Sequence, residues 1–164
     1  MIVTPQELSA INGQAVREYP SECCGVIVSR GGERRLLPLR NIQDELHRMD
    51  PNRYPRTSRT AYHVDARDYM TIERLLQEGF SVAVVYHSHI DVGAYFSETD
   101  KRQALLGQDP NEHDPIFADA TYLVVSVVPG RVQTVAAFRW DRSRRDFVAV
   151  EPVTSPPAHQ ETVE

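Results

Sequence analysis

"SVAVVYHSHIDVGAYFSETD" (residues 81–100) is the stretch on which the fold turns. It opens as an almost unbroken run of Val, Ala and Tyr, the pattern of a buried strand, and that run ends on His87-Ser88-His89. Side chains at i and i+2 of a strand share a face, so His87 and His89 point one way and Ser88 the other. From Ser97 the pattern changes to Ser-x-x-Asp, a helix start with Ser97 as cap and Asp100 at the third position. The seven residues between His89 and Ser97, with Gly93 among them, are enough to fold that helix start back over the strand end.

Working outward, "TPQE" announces a first helix: Thr4 can cap it, Pro5 suits its first turn and Glu7 closes a capping box, with the helix running to about Glu18. "CGVIVS" (24–29) and "RRLLPLR" (34–40) flank the Gly31-Gly32 turn as a hairpin, with Pro38 weakening the end of the second strand. A second helix starts at Asp65, with Asp68 three positions on, carries Tyr69, Ile72, Leu75 and Leu76 at helical spacing, and stops at Gly79. The third begins at Ser97 and closes at Gly107. Three strands follow, "TYLVVSVV" (121–128), "RVQTVAAFRW" (131–140) and "DFVAV" (146–150). Interleaved strands and helices with an antiparallel run at the end predict an α/β (mixed α+β) fold, a mixed sheet with helices packed on it. Residues 41–62 and 108–120 fit no element. Loops this long tend to be functional or disordered, and the parts nearest the site are expected to be functional.

The chain has 164 residues, the size of a single domain, expected over 1–151 and followed by a flexible Pro-rich tail, 152–164, that includes His159. A hydrophobic content of 41%, a charged content of 25% and no long apolar run exclude a helical membrane span. "MIVTPQELSA" lacks the basic start and apolar stretch of an export signal, so the expected location is cytoplasmic. A net charge of -5 and the lack of any basic block argue against a nucleic-acid partner. Cys23 and Cys24 are neighbours, a poor arrangement for a mutual disulfide, and read as reduced thiols buried at the start of a strand. A cysteine nucleophile with a histidine base is the alternative for them.

Two imidazoles on one face can clamp a metal. Zinc binds imidazole nitrogen at ~2.0–2.1 Å, and in hydrolytic sites a carboxylate often supplies a third ligand and leaves a fourth position for water. Asp100 is the candidate carboxylate. Histidines at a sheet rim or a capped helix start are ordinary features taken singly; a strand ending in His-x-His beside a helix beginning Ser-x-x-Asp is a cluster that capping does not explain.

The spacing His-x-His, seven residues, Ser, two residues, Asp in "HSHIDVGAYFSETD" (87–100) resembles the JAMM motif of the MPN-domain metalloproteases. That family also has a glutamate upstream at the start of a strand, and "YPSECCGVIV" (19–28) places Glu22 in a similar context. The order of elements matches from the first helix to about residue 140. The resemblance implies an MPN/JAB-like domain, a curved and mostly antiparallel mixed sheet with helices packed on it, similar to that of cytidine deaminases. It implies that His87, His89 and Asp100 bind Zn2+, that Glu22 takes a proton from the attacking water and passes it to the leaving amine, and that Ser97 donates to the oxyanion. Many members have proline after the second histidine and before the serine, where this chain has Ile90 and Phe96.

Members of this family hydrolyse peptide or isopeptide bonds, often after a Gly-Gly terminus. The resemblance therefore implies a zinc protease acting on a ubiquitin-like or sulfur-carrier protein, as a monomer or homodimer. In that role Arg48, Arg53, Arg56 and Arg59 could engage an acidic carrier surface. A catalytically silent MPN scaffold and a cell-wall or phage-tail type peptidase are the alternatives.

Overall fold

The computed structural model describes residues 1–151, and the expected tail at 152–164 lies outside the described residues. Elements follow in the order α1 (Pro5–Glu18), β1 (Cys24–Arg30), β2 (Glu33–Leu39), α2 (Gln43–Met49), α3 (Ala66–Gln77), β3 (Ser81–Ile90), α4 (Glu98–Ala104), β4 (Thr121–Val128), β5 (Arg131–Asp141) and β6 (Asp146–Val150). Among the described residues the strands form one six-stranded sheet in the order β2-β1-β3-β4-β5-β6. Only the β3–β4 pair is parallel, since the chain crosses over through α4 between them; every other neighbour pair is antiparallel. The expected mixed sheet with helices packed on it is what forms.

Each face of the sheet carries its own core. Ile11 and Ala15 of α1 pack with Ile27, Val84, Tyr86, Leu123 and Val125 on one face. Ile72 and Leu75 of α3 and Ala104 of α4 pack with Val26, Val124, Tyr122 and Phe147 on the other. Alternation along β3 sends Tyr86 and Ile90 to the α1 face and Val85 to the α3/α4 face. His87 and His89 share the parity of Val85 and so emerge beneath α4. Among the described residues no helix is long and apolar enough to cross a membrane.

Three local differences from the sequence reading have physical reasons. Residues 43–49, expected to be loop, form α2, whose N-cap Ile42 makes no side-chain capping bond and so gave no start signal. Pro38 stays inside β2, because β2 is the sheet edge and a missing N–H costs nothing there. α4 ends at Ala104 rather than at Gly107, the chain turning through the positive φ values of Leu106 (52°) and Gly107 (75°).

Candidate metal centre

The site is built where the end of β3, the residues before β1 and the start of α4 meet. In β3 the Nε2 atoms of His87 and His89 approach to 3.1 Å. Asp100, in the first turn of α4, brings Oδ1 to 3.1 Å from His87 Nε2 and Oδ2 to 3.2 Å from His89 Nε2. All three residues are buried. Atoms bound at ~2.0–2.1 Å to one tetrahedral ion are roughly 3.3 Å apart, so the two nitrogens and the carboxylate stand at spacings close to those of such a ligand set. His89 Nδ1 lies 3.1 Å from the Gly93 carbonyl and can only donate to it, which leaves Nε2 with its lone pair free. Two imidazole nitrogens and a carboxylate converging in a buried space suit a cation, and the three residues could hold one metal ion.

The helix start is shared with the site. Ser97 Oγ accepts from the Asp100 amide (3.1 Å), and the Ser97 amide donates to Asp100 Oδ2 (2.8 Å), closing the expected capping box. The Ser97 hydroxyl proton is not used by that box and is free to donate elsewhere. Burial acts to raise the Asp100 carboxyl, but with protons rather than an ion between the imidazoles and the carboxylate, His87 and His89, together with Ser97, hold it well below the usual carboxylate range.

Glu22 arrives by strand register. Cys24 lies opposite His87, so two residues earlier along an antiparallel pair Glu22 comes level with His89. The Ser88 amide donates to the Cys23 carbonyl (3.0 Å) and the Cys23 amide to Ser88 Oγ (2.7 Å), which carries the pairing past the last residue of β1. The Glu22 amide donates to the Ser58 carbonyl (2.7 Å), and its carbonyl accepts from Asn41 Nδ2 (2.8 Å). Its side chain lines a cleft of about 310 Å³ together with His89, Ser97, Asp100, Tyr62, Arg56 and Arg59. Burial, and then the negative charge of Asp100, push the Glu22 carboxyl up to about 9, while Arg56 pulls the other way. A cation among the three ligand atoms would offset that negative charge and favour the ionised form.

Several supports gave no signal in the sequence. Asn41 uses both ends of its amide: Nδ2 donates to the Glu22 and Ala61 carbonyls, and Oδ1 accepts from the Gln43 and His63 amides. Asp44 takes the Ser58 amide and hydroxyl on its two oxygens, each at 2.7 Å. The Tyr62 ring stacks on His87 with centroids 5.0 Å apart. Apart from the local bond to Gln43, these contacts join residues 14 to 25 positions apart, where no local periodicity reports them.

The remaining candidates divide. Arg56 and Arg59 line the cleft, whereas Arg48 and Arg53 do not, Arg53 lying over the Tyr54 ring. No residue of 108–120 lines it either. That segment is structural, Asp114 accepting from Trp140 Nε1 (3.1 Å) and Arg145 (2.6 Å). Ile90 and Phe96, at the two positions where prolines are common, are buried core anchors, the Phe96 ring packing at a tilt on Phe147 with centroids 4.6 Å apart. Cys23 and Cys24 are free and buried; burial pushes the Cys23 thiol up to about 12 and Cys24 further up, the opposite of what a thiolate nucleophile needs.

Comparison with known proteins gives a consistent picture. Residues 4–143 match the family model described as prokaryotic homologues of the JAB domain. The chain is 30% identical over 114 residues to the CysO-cysteine peptidase of Mycobacterium tuberculosis, covering 69% of each chain, and equally so to that of Mycobacterium bovis. It is 32% identical over 96 residues to the tail tip assembly protein K of Escherichia phage N15; that match takes in 58% of this chain but spans only 33% of the phage protein. Among solved structures, a protein of Desulfitobacterium hafniense shares the fold at a TM-score of 0.61 and 21% identity, covering 93% of this chain and 90% of that one. A protein of Salinibacter ruber aligns at a TM-score of 0.57 and 28% identity, covering 94% and 92%.

Proposed function

The chain belongs to the prokaryotic JAB-domain family, and on that premise we propose that it is a zinc peptidase cleaving a peptide or isopeptide bond after the C-terminal Gly-Gly of a ubiquitin-like sulfur-carrier protein. The observation that carries this reading is the buried cluster of two imidazole nitrogens and the two oxygens of Asp100, neighbouring atoms 3.1–3.2 Å apart, opening beside Glu22 and Ser97 in one cleft. The similarity to a CysO-cysteine peptidase supports a carrier protein as the substrate.

His87 Nε2, His89 Nε2 and one Asp100 oxygen would hold the ion. The chemistry zinc supplies when bound is Lewis acidity, which brings the pKa of a coordinated water to ~7 and polarises a carbonyl. The Glu22 carboxylate takes the proton released as water attacks and returns it to the leaving nitrogen. The free Ser97 hydroxyl proton donates to the oxyanion, held in position by the backbone bond that caps α4. Tyr62 and the Gly93 carbonyl keep the two imidazoles turned inward.

A silent scaffold needs no convergence of buried acceptors, and its expected signature is a missing member of the set. Similarity to a phage tail assembly protein favours a second reading, the same hydrolysis on a different peptide. One experiment separates them: incubate the zinc-loaded protein with carriers bearing different C-terminal extensions and weigh the products. Cleavage after Gly-Gly that stops on chelation, with Glu22→Gln binding zinc but not turning over, is the expected outcome. Full activity in metal-free protein would overturn the proposal.

A further inference from the structure

We propose that Arg56 receives the free α-carboxylate of the residue released from the substrate, so that the preferred leaving group is a single C-terminal amino acid rather than an internal peptide segment. This rests on the hydrolytic reading above and deepens it.

Among the described residues the cleft has two cationic side chains in its lining, Arg56 and Arg59. Arg59 is committed, its Nη2 lying 2.6 Å from Asp91 Oδ2, an oxygen that also accepts from the Tyr19 hydroxyl at 2.9 Å. Arg56 has no carboxylate partner among the described residues, and its guanidinium makes one hydrogen bond, from Nη1 to the Thr60 carbonyl at 3.3 Å. Its backbone, in contrast, is fixed. Buried Gln43 donates through Nε2 to the Arg56 carbonyl (2.9 Å), and two residues on Ser58 is held by Asp44 and bonded to the Glu22 amide. A guanidinium on an anchored backbone, exposed at the cleft and unpaired, is available for a carboxylate from outside, which its planar fork can take with two bonds.

The place of that carboxylate follows from covalent geometry. In an amino acid the nitrogen and the carboxylate carbon hang from one Cα, ~2.5 Å apart. The group that protonates the leaving nitrogen therefore has the carboxylate beside it. Glu22 performs that step, and next to Glu22 and Asp100 an incoming anion is repelled unless a cation faces it. Arg56 is the cation that Glu22 feels. An amide-capped or extended leaving group brings no charge to this point and leaves Arg56 unused.

The test uses the full zinc-loaded chain and peptides ending Gly-Gly-Ala as the free acid, the same peptide as the carboxamide, and Gly-Gly-Ala-Ala as the free acid. Wild type should cleave the first with kcat/KM on the order of tenfold to hundredfold above the other two. Arg56→Ala should bring the three together, and Arg56→Lys should keep part of the preference. In parallel, binding of the acid and the carboxamide to Glu22→Gln and to Glu22→Gln/Arg56→Ala, measured by calorimetry, should show the same preference and the same loss. An acid-to-amide ratio untouched by Arg56→Ala overturns the proposal. So does an equal loss on all peptides with a shifted pH profile, which would make Arg56 a positioning residue for Glu22. If wild type cleaves nothing yet binds the acid more tightly through Arg56, the peptidase reading fails and the carboxylate site stands.

Discussion

Replacing Asp44 by alanine removes the contact that fastens the cleft wall to α2. Asp44 accepts the Ser58 amide and hydroxyl, each at 2.7 Å, and Ser58 in turn accepts the Glu22 amide on its carbonyl, also at 2.7 Å. Ser58 is buried, so Asp44→Ala strands a backbone donor as well as breaking a bond from a hydroxyl. Orphaning a buried N–H costs about 1–3 kcal/mol and losing the second bond about 1 kcal/mol; with Asp44 only half-buried and water able to enter, about 2–3 kcal/mol is the expected total. For a chain of this size that lowers Tm by about 4–12 °C in a calorimetric scan. Asp44→Asn keeps one acceptor oxygen and should lose roughly half as much. Hydrogen exchange at the Glu22 amide should accelerate in both variants. The bond to the Ser58 amide holds the Asp44 carboxyl below its ordinary value of 3.8, with the Ser58 hydroxyl adding to it. Its contribution is therefore complete above that ordinary value and lost as the pH falls through the lower, folded one, so the gap between wild type and Asp44→Ala should narrow below about pH 4. A Tm within 1–2 °C of wild type, with unchanged exchange at Glu22, would refute the claim that this contact holds the wall.

Other outcomes follow from the same geometry. Ser97→Ala should cost about 1 kcal/mol by uncapping α4 and, separately, on the order of 10²–10³ in kcat, so a stabilised background should restore Tm but not turnover. Gly25→Ala should cost about 3 kcal/mol or more in urea titrations, because the new Cβ would lie 2.1 Å from both Cζ and Oη of buried Tyr86, whose hydroxyl bonds Gln14; adding Tyr86→Leu should recover part of the loss. Cys23→Ala and Cys24→Ala should leave hydrolysis running, whereas complete inactivation with metal still bound would point to thiol chemistry.

What could be read from the sequence was whatever local physics encodes. Thr4 and Glu7 announce α1 because a capping box is written in four consecutive residues. His87 and His89 share a face because a strand has period two, and the Ser97–Asp100 spacing brings cap and carboxylate to one helix start. α2 could not be read, since its seven residues begin without a capping side chain. The Asn41 and Asp44 anchors were invisible for another reason, their partners being set by tertiary approach and not by spacing. The acidic, Pro-bearing segment 108–120 could not be placed for the same reason, Asp114 accepting from Trp140 and Arg145 across the tertiary structure. Nor did spacing announce the partner of Asp68, whose carboxylate accepts the Arg40 amide (2.7 Å) and ties the residue after β2 to α3.

Asp100 spends one oxygen on the amide that starts α4 and offers the other toward His87. Exchanging it for cysteine or histidine to favour a softer ion would forfeit the oxygen that accepts the Ser97 amide, so retuning ion selectivity at that position would cost one of the two bonds of the box that holds Ser97. The β3 imidazoles have no such second duty in the helix, so a preference among ions would be adjusted more freely there and at the Gly93 carbonyl that orients one of them.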